Sequence, residues 1–480
     1  MTDIKEQTLG LTVKKSEDFN EWYSQVVLKA NLADYAPIKG FMIIRPNGYA
    51  IWEGIQHYFD SIIKTHKVEN AYFPLLIPKS FFEKEAEHAE GFEPELAWIE
   101  RKDNDEEEPV AIRPTSETII YDSYSKWIRS WRDLPLRINQ WCNVLRWEVK
   151  QTKIFLRTRE FLWQEGHRVY ATKDECDKEV KLFLEEYKKM CEELLAIPVI
   201  AGIKTDAEKF AGAFYTTTIE GLMPDGKALQ MGTSHNLGQG FGKAFNIHFM
   251  AENKKEQIPW QSSWGFSTRL IGAVVMVHGD DKGLVLPPRL ARTKAVIVPI
   301  LFEKTKDLVL KKCTEIEKEL AEFNVFIDAR DNYSVGWKFA DAELKGIPIR
   351  IELGPKDIEK GHAVLVRRDT GKKEFVKLNE LKKRMPAILD EMHKDMFERA
   401  KEFLDKNTVE AKNEEEFKKA IDDRKMVYAY FCGDADVEKE IKEWSGATSR
   451  CIPFDEPEKN AKCIFSGKPA KKRVLFAKSY

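Results

Sequence analysis

At 480 residues the chain is long enough for two to four domains and a sizeable core, which excludes a small binding module. Its 77 Lys and Arg residues nearly balance 79 Asp and Glu, for a formal charge of -2, so any RNA partner must be held by local patches rather than by a global field. The seven cysteines are scattered, Met1 to Lys15 carries no signal or transit pattern, and no run approaches the ~20 apolar residues of a membrane span, so a soluble cytoplasmic protein is expected.

Residues 49 to 66 place Ile51, Trp52, Ile55, Tyr58, Phe59, Ile62 and Ile63 at helical spacing after a Pro46-Asn47-Gly48 turn. Tyr72 to Ile77 reads as a strand. The acidic run Asp103 to Glu108 reads as a solvated loop, since nothing in it resembles calcium-loop spacing. Ile138 to Trp147 and Phe161 to Tyr170 read as the two strands of a hairpin, joined by a polar link carrying Lys150, Lys153, Arg157 and Arg159. With alternation of period two, Phe161, Trp163, Glu165 and His167 share one face, and so do Arg146 and Glu148. A guanidinium and an aromatic ring would thus converge on one nucleotide, fork to phosphate and ring to base. The plain alternative is an amphipathic surface hairpin.

Thr172 followed by Glu175 is a capping box opening a helix whose buried face runs from Val180 to Leu195. Tyr215 to Ile219 and Ala273 to Val277 look like strands. Pro287-Pro288, within Gly283 to Arg292, marks a domain boundary. Beyond it strands at Ala295 to Ile300, Asn324 to Asp328, Ile347 to Leu353 and Ala363 to Arg367 alternate with helices such as Thr305 to Phe323, the pattern of a small α/β sheet. A charged helix from about Asn379 to Leu404, interrupted by Pro386, leads to a third unit with strands at Met426 to Phe431 and Val474 to Ala477. The units expected are residues 1–285, 286–395 and 396–480.

Two nucleotide signatures fail. Gly221 to Ala228 comes within one residue of a phosphate loop, but Ala228 has no hydroxyl for magnesium, and Pro224-Asp225-Gly226 reads as a turn between strands. Gly238-Gln-Gly240-Phe-Gly242 lacks dinucleotide-fold spacing.

Arg146-x-Glu148, the basic link, and Arg157-x-x-x-Phe161 resemble motif 2 of the class II aminoacyl-tRNA synthetases. Gly265-Phe-Ser267-Thr-Arg269 resembles motif 3, and Gly40 to Pro78 resembles motif 1, which forms the dimer interface. Arg113-Pro-Thr115-Ser-Glu117-Thr, Leu145-Arg-Trp-Glu, Phe161-Leu-Trp-Gln-Glu-Gly-His167, Phe210-Ala-Gly-Ala and Thr233-Ser-His235-Asn-Leu-Gly238 closely resemble the prolyl-tRNA synthetase family, in its archaeal and eukaryotic-like type, from about Asp18 to Tyr480. The resemblance implies an antiparallel catalytic sheet with helices, an α/β anticodon-binding domain and a small α/β C-terminal domain. It further implies a cytoplasmic homodimer that joins L-proline to tRNA(Pro) using ATP with Mg2+.

By that resemblance Arg146, Arg269 and Glu148 carry the chemistry. Arg146, Arg157, Thr158, Phe161, Gln230, Thr233, Ser267 and Arg269 hold ATP, with Phe161 on the adenine. Thr115 and Glu117 accept from the proline ammonium, Arg146 meets its carboxylate, and Trp163, Glu165, Phe210 and His235 shape the ring pocket. A planar guanidinium fork suits two oxyanions better than an ammonium does. His235 is otherwise a satisfied structural histidine. Ala329 to Lys338 resembles the loop near the anticodon, with Val335 where a proline is usual, so Arg330, Lys338, Glu343 and Arg350 are candidate anticodon contacts. Arg367-Arg368 and Lys471-Lys472-Arg473 would meet phosphates or form a solvated face.

Many relatives hold zinc with four cysteines in the last domain. Here Cys432 and Cys463 remain but Val437 and Ser466 replace their partners, so structural zinc is not expected. Glu165 and Gly265 stand too close for the large editing insertion of some bacterial relatives. The terminal Tyr480 resembles a family tyrosine whose carboxylate reaches the active site. Two other readings are separable: another class IIa synthetase, as for threonine, whose zinc-ligating Cys and His set is missing, and a noncatalytic paralogue, in which the ATP arginines would be eroded.

Overall fold

The computed structural model describes residues 10–86, 95–100 and 108–480. The acidic loop expected at 103–108 lies outside the described residues apart from Glu108, which accepts from the Ser80 amide and hydroxyl at 3.0 and 3.1 Å. Helix α1 (Phe19–Lys29), capped by Asp18, precedes a ribbon of β1 (Ala33–Tyr35) and β2 (Met42–Ile44) and then α2 (Pro46–Thr65). Pro46 opens α2 instead of belonging to a separate turn, because a proline at the first helical position has no intrahelical N–H bond to lose. Next come β3 (Glu69–Asn70), β4 (Leu76–Pro78), α3 (Lys79–Ala86) and β5 (Val110–Ile112). The strand expected over 72–77 survives only at its end, since Pro74 cannot donate to a ladder.

The central unit continues with α4 (Glu117–Trp127), β6 (Leu136–Leu145), β7 (Glu160–Tyr170) and α5 (Lys173–Lys189), the last opened by the Thr172–Glu175 capping box. It ends with β8 (Ile200–Ile203), β9 (Tyr215–Leu222), β10 (Ala228–Gly238), α6 (Gly240–Ala244), the ribbon β11 (Phe249–Met250) and β12 (Glu256–Gln257), β13 (Trp260–Ser267) and α7 (Arg269–His278). Residues 273–277, read as a strand, lie in α7. A short run that is apolar on every side carries no period by which helix and strand differ. The look-alike phosphate loop is the hairpin turn between β9 and β10, with Gly226 at φ 80°.

Strands β8, β9, β10, β13, β7 and β6 form an antiparallel sheet in that order, with β3 parallel at its edge. Helices α2 and α5 bury Phe59, Phe183 and Tyr187 against Trp264 and Phe266 of β13. Gly166 makes this packing possible, because a Cβ there would lie 2.1 Å from the Trp264 ring.

The second unit holds β14 (Ala295–Pro299), α8 (Lys306–Glu319), β15 (Phe326–Ile327), α9 (Val335–Leu344), β16 (Ile349–Leu353), α10 (Pro355–Glu359), β17 (His362–Arg367) and β18 (Lys373–Lys377). Its sheet runs β15-β14-β16-β17-β18, parallel among the first three and antiparallel afterwards. Helix α11 (Leu381–Lys406) is continuous through Pro386. That proline sits in the second turn, where one hydrogen bond is lost, and the buried stripe Met385, Ile388, Leu389, Met392 and Met396 holds the helix on both sides of it.

The third unit contains β19 (Thr408–Glu410), α12 (Glu414–Asp422), β20 (Met426–Tyr430), α13 (Ala435–Ser445), β21 (Thr448–Pro453), the ribbon β22 (Ala461–Lys462) and β23 (Pro469–Ala470), and β24 (Arg473–Ala477). Its strands run β19-β20-β24-β21, and β21 pairs with β8 through Ile452↔Ile203 and Pro453↔Gly202. The third unit therefore extends the central sheet to eleven strands. Among the described residues no helix is long and apolar enough to cross a membrane.

Candidate active site

The inner strands and the loop between β6 and β7 enclose a cavity of about 550 Å³. It gathers Thr115, Glu117, Arg146, Glu148, Arg157, Thr158, Phe161, Trp163, Glu165, Phe210, Gln230, Thr233, His235, Ser267 and Arg269, all the residues singled out in the sequence for amino acid and nucleotide. His167, Thr216, Ser263 and Tyr480 line it as well.

The β6–β7 hairpin places the aromatic and acidic groups by alternation, so Phe161, Trp163, Glu165 and His167 all face the cavity. Arg146 and Glu148 arrive differently from the expected strand alternation. β6 stops at Leu145, and both residues stand in the turn that follows. The link between the strands is also less polar than expected. Ile154, Phe155 and Leu156 are buried, Phe155 at φ 63°, and the Tyr23 hydroxyl donates to the Ile154 carbonyl at 2.8 Å. This apolar plug anchors the loop, with Lys153 half-buried on one side of it and Arg157 exposed on the other, and it offers the Leu156 carbonyl to Arg269 Nε at 3.1 Å.

Three arginines face the same space. The Arg146 guanidinium lies 5.3 Å from the Phe161 ring centre and 5.7 Å from that of Trp163, and its Nε reaches the Pro114 carbonyl at 3.4 Å. Arg269 is pushed down to about 10, first by burial and then by the charge of Arg146. Arg146 is likewise lowered by burial, offset only partly by Glu148 and Glu117. Two cations that repel each other inside a walled cavity create a potential that an anion relieves. Arg157 stands exposed at the mouth, and Thr158 is buried with its hydroxyl donating to the Glu160 carbonyl at 2.7 Å.

The same cavity also has acidic walls. Glu117 opens α4, buried, and accepts from the Thr115 hydroxyl. Glu165 is saturated. Its Oε1 accepts from Ser116 at 2.5 Å, Gln140 at 2.9 Å and the Cys142 thiol at 3.2 Å, and its Oε2 faces His167 at 3.0 Å. Burial alone would raise the Glu165 carboxyl, but His167, Ser116 and Gln140 hold it below the ordinary range. Burial likewise works against a charged His167, and Glu165 and Glu117 overcome it, raising the imidazole. Glu117 is thus the carboxylate with capacity left for a ligand cation, and Glu165 is a fixed wall behind it.

His235 is lowered to about 3 by burial, aided by His167 and Lys204, so it is neutral near pH 7. Thr216 Oγ1 accepts from the Phe210 amide at 2.9 Å and sits 2.9 Å from His235 Nδ1. Thr216 carried no sequence signal of its own, because its role follows from its pairing with His235 across β9 and β10. His167 did share the expected face, but neutral and charged histidines look alike in a sequence.

Tyr480 donates through its hydroxyl to Asp225 at 2.7 Å, and its ring lies 4.8 Å from the Lys227 ammonium and 5.3 Å from that of Lys153. Lys153 is lowered to about 8 by burial, with Asp225 opposing the shift.

Several expected basic contacts prove to be internal. Arg350 is buried between Glu343 at 3.0 Å and Glu352 at 2.9 Å, and Lys338 is buried. Arg368 pairs with Asp280 at 2.6 Å, Arg367 with Asp369 at 2.8 Å and Asp395 at 2.7 Å, and Arg473 with Glu456 at 2.7 Å. A charge pattern in sequence does not show that acids elsewhere in the chain already claim it. Arg330 is also paired, to Asp328 at 2.6 Å and Asp341 at 2.8 Å, yet it stays partly exposed over Tyr333 and Trp337, whose rings stack at 3.8 Å. In the third unit Cys432 Sγ lies 3.5 Å from Ser466 Oγ. Two thiols and a hydroxyl do not make the closed four-ligand set of a structural zinc site.

An antiparallel sheet whose hairpin arginine and helix-opening arginine face one cavity is the core of a class II aminoacyl-tRNA synthetase, and residues 98–278 match the family description for the tRNA synthetase class II core domain (G, H, P, S and T). Residues 294–388 match the anticodon binding domain and residues 414–480 the prolyl-tRNA synthetase C-terminal domain. The chain is 53% identical over 471 residues to the proline--tRNA ligase of Rubrobacter xylanophilus, covering 97% of this chain and 98% of that protein. It is 48% identical to proline--tRNA ligase 2 of Clostridioides difficile, covering both chains fully, and 50% identical to proline--tRNA ligase 2 of Bacillus cereus over 99% of this chain and 100% of that one. The chain belongs to the prolyl-tRNA synthetase family.

Proposed function

We propose that the chain carries out the reaction stated in its relatives' names, joining L-proline to tRNA(Pro), with ATP as substrate and Mg2+ accompanying it. One observation carries the reading. A single cavity holds two mutually repelling guanidinium groups, Arg146 and Arg269, together with a buried carboxylate, Glu117, that accepts from the Thr115 hydroxyl. The arginines suit a carboxylate and a polyphosphate, and Glu117 suits a secondary ammonium.

In the first step a proline carboxylate oxygen attacks the α-phosphorus of ATP, the P–O bond to the β-phosphate breaks, and pyrophosphate leaves. No side chain acts as nucleophile. Arg146 sits where it would touch both the carboxylate and the α-phosphate, Arg269 and Arg157 would hold the outer phosphates, and Phe161 would stack on adenine with Thr158, Gln230, Thr233 and Ser267 around it. In the second step the terminal 3′-hydroxyl of the tRNA attacks the prolyl carbonyl and AMP leaves. Trp163, Phe210 and neutral His235 enclose the ring, and Arg330 with the Tyr333–Trp337 stack is the surface of the second unit best suited to an unstacked anticodon base.

The domain limits 1–285, 286–395 and 396–480 remain our division of the chain. A homodimer fits the exposed apolar side chains of Tyr35, Ile38 and Ile43 on the β1–β2 ribbon and of Tyr72 beyond α2, within the stretch that resembles motif 1. A cytoplasmic location fits seven free cysteines. We propose no resident zinc, on the incomplete donor set, and the archaeal and eukaryotic-like type without cis editing, on the way β8, β9 and β10 occupy the chain between β7 and β13.

Purified protein should catalyse proline-dependent exchange of pyrophosphate into ATP. Exchange driven by threonine, glycine or histidine in place of proline, or none at all, would overturn the reading. Deleting Tyr480 removes the Asp225 hydrogen bond and the cover over Lys153 and Lys227, and kcat/KM for this exchange should fall about tenfold, the equivalent of ~1.4 kcal/mol. An unchanged rate would mean that the C-terminal residue is a bystander.

A further inference from the structure

We propose that Cys142 is a positioning residue for the amino-acid pocket, its thiol tying the Trp163 wall to the Glu165 wall. The inference rests on the proposed function in taking that end of the cavity to be the proline site. Cys142 lies on β6 directly opposite Trp163, and Gln140, two residues before it, lies opposite Glu165. The Trp163 indole N–H donates to the Cys142 sulfur at 3.2 Å, and the thiol stands 3.2 Å from Glu165 Oε1. An indole N–H can only donate and an ionised carboxylate can only accept. A group placed between them must therefore accept from one and donate to the other, which a protonated thiol does and an aliphatic side chain does not.

The protonation state agrees. Burial, reinforced by the Glu165 charge, pushes the thiol well above its ordinary value, and Arg113 offsets only part of the shift. Cys142 is therefore an S–H group at neutral pH, unsuited to be a nucleophile or thiolate ligand. It is half-buried behind the two pocket residues and is not itself among the residues that line the cavity. Any influence on a bound amino acid passes through the indole and the carboxylate. Glu165 keeps three other donors without Cys142, whereas Trp163 Nε1 has the sulfur as its hydrogen-bond partner, so the loss falls mainly on the indole. Serine can reproduce both roles in kind, but its shorter C–O bond leaves the oxygen farther from both partners.

The experiment is proline-dependent pyrophosphate exchange by the full-length protein carrying Cys142→Ala or Cys142→Ser. For C142A the KM for proline should rise about tenfold with KM for ATP within twofold, and for C142S the rise should be about threefold, because a lost hydrogen bond loosens one pocket wall and leaves the phosphate contacts intact. A wild-type proline KM in C142A would overturn the proposal. So would equal rises in both KM values together with a lowered Tm, the pattern of a residue that merely packs. If C142A does not accumulate as soluble protein, C142S decides alone, a raised proline KM supporting the tether and an unchanged one refuting it. Absence of proline-dependent exchange in the wild-type protein would refute the function itself, and is distinguished by needing no variant.

Discussion

Alanine at position 146 is expected to lower proline-dependent pyrophosphate exchange by about 10³-fold, the upper end for removal of one transition-state donor, because in the proposed reaction Arg146 serves two anions at once. The effect should appear in kcat and not only in KM. The guanidinium is held by stacking on Phe161 and Trp163 and by a long bond to Pro114, contacts that leave its remaining N–H groups free for oxygen ligands. Lysine at 146 keeps the charge but loses the planar fork, and should remain about 10²-fold impaired. The alanine change should not lower Tm appreciably, since removing the Arg146 charge relieves its repulsion of Arg269. Exchange by the alanine variant within tenfold of wild type would show that the reaction does not pass through this residue.

Much of this site was legible because it is built on one hairpin. Alternation alone put Phe161, Trp163, Glu165 and His167 on a common face, and the β6–β7 register realises it. Alternation gave the right outcome for Arg146 and Glu148 for the wrong reason, since both lie past the strand end. What stayed hidden depends on pairing between distant segments. Thr216 matters because it faces His235, and Cys142 matters because it faces Trp163. The same limit explains the basic clusters at Arg367, Arg368 and Arg473, whose acidic partners come from Asp395, Asp280 and Glu456. It also explains the third unit, whose sheet continues the first through β21 and β8, a contact that no local pattern announces.

That continuity makes Glu220 the residue on which the joint should depend most. Glu220 lies on β9, fully buried, opposite Gln230 of the proposed nucleotide site. Its Oε1 takes the Lys204 ammonium at 2.9 Å, and its Oε2 takes Arg450 of β21 at 2.8 and 3.1 Å. One carboxylate thus balances two buried cations, one from each unit. Replacing it by glutamine leaves both without a counter-charge, a change that costs roughly 3–5 kcal/mol in comparable buried pairs. In a chain of several units this should appear as a lowered first thermal transition and faster proteolytic release of the 414–480 segment, and not as one global unfolding free energy. Burial by itself would raise the Glu220 carboxyl, but Lys204 and Arg450 hold it below the ordinary range. A depressed acid adds its stability in full above the unfolded carboxylate value, about pH 4.3, and loses it as pH falls through the lower folded value. The wild-type protein should accordingly lose the docking of its third unit in acid below about pH 4, while Glu220→Gln should be weakened already at neutral pH and show little of that acid dependence. Equal protease resistance of the two proteins at pH 7 would mean that β21–β8 backbone pairing holds the units together without the buried charges.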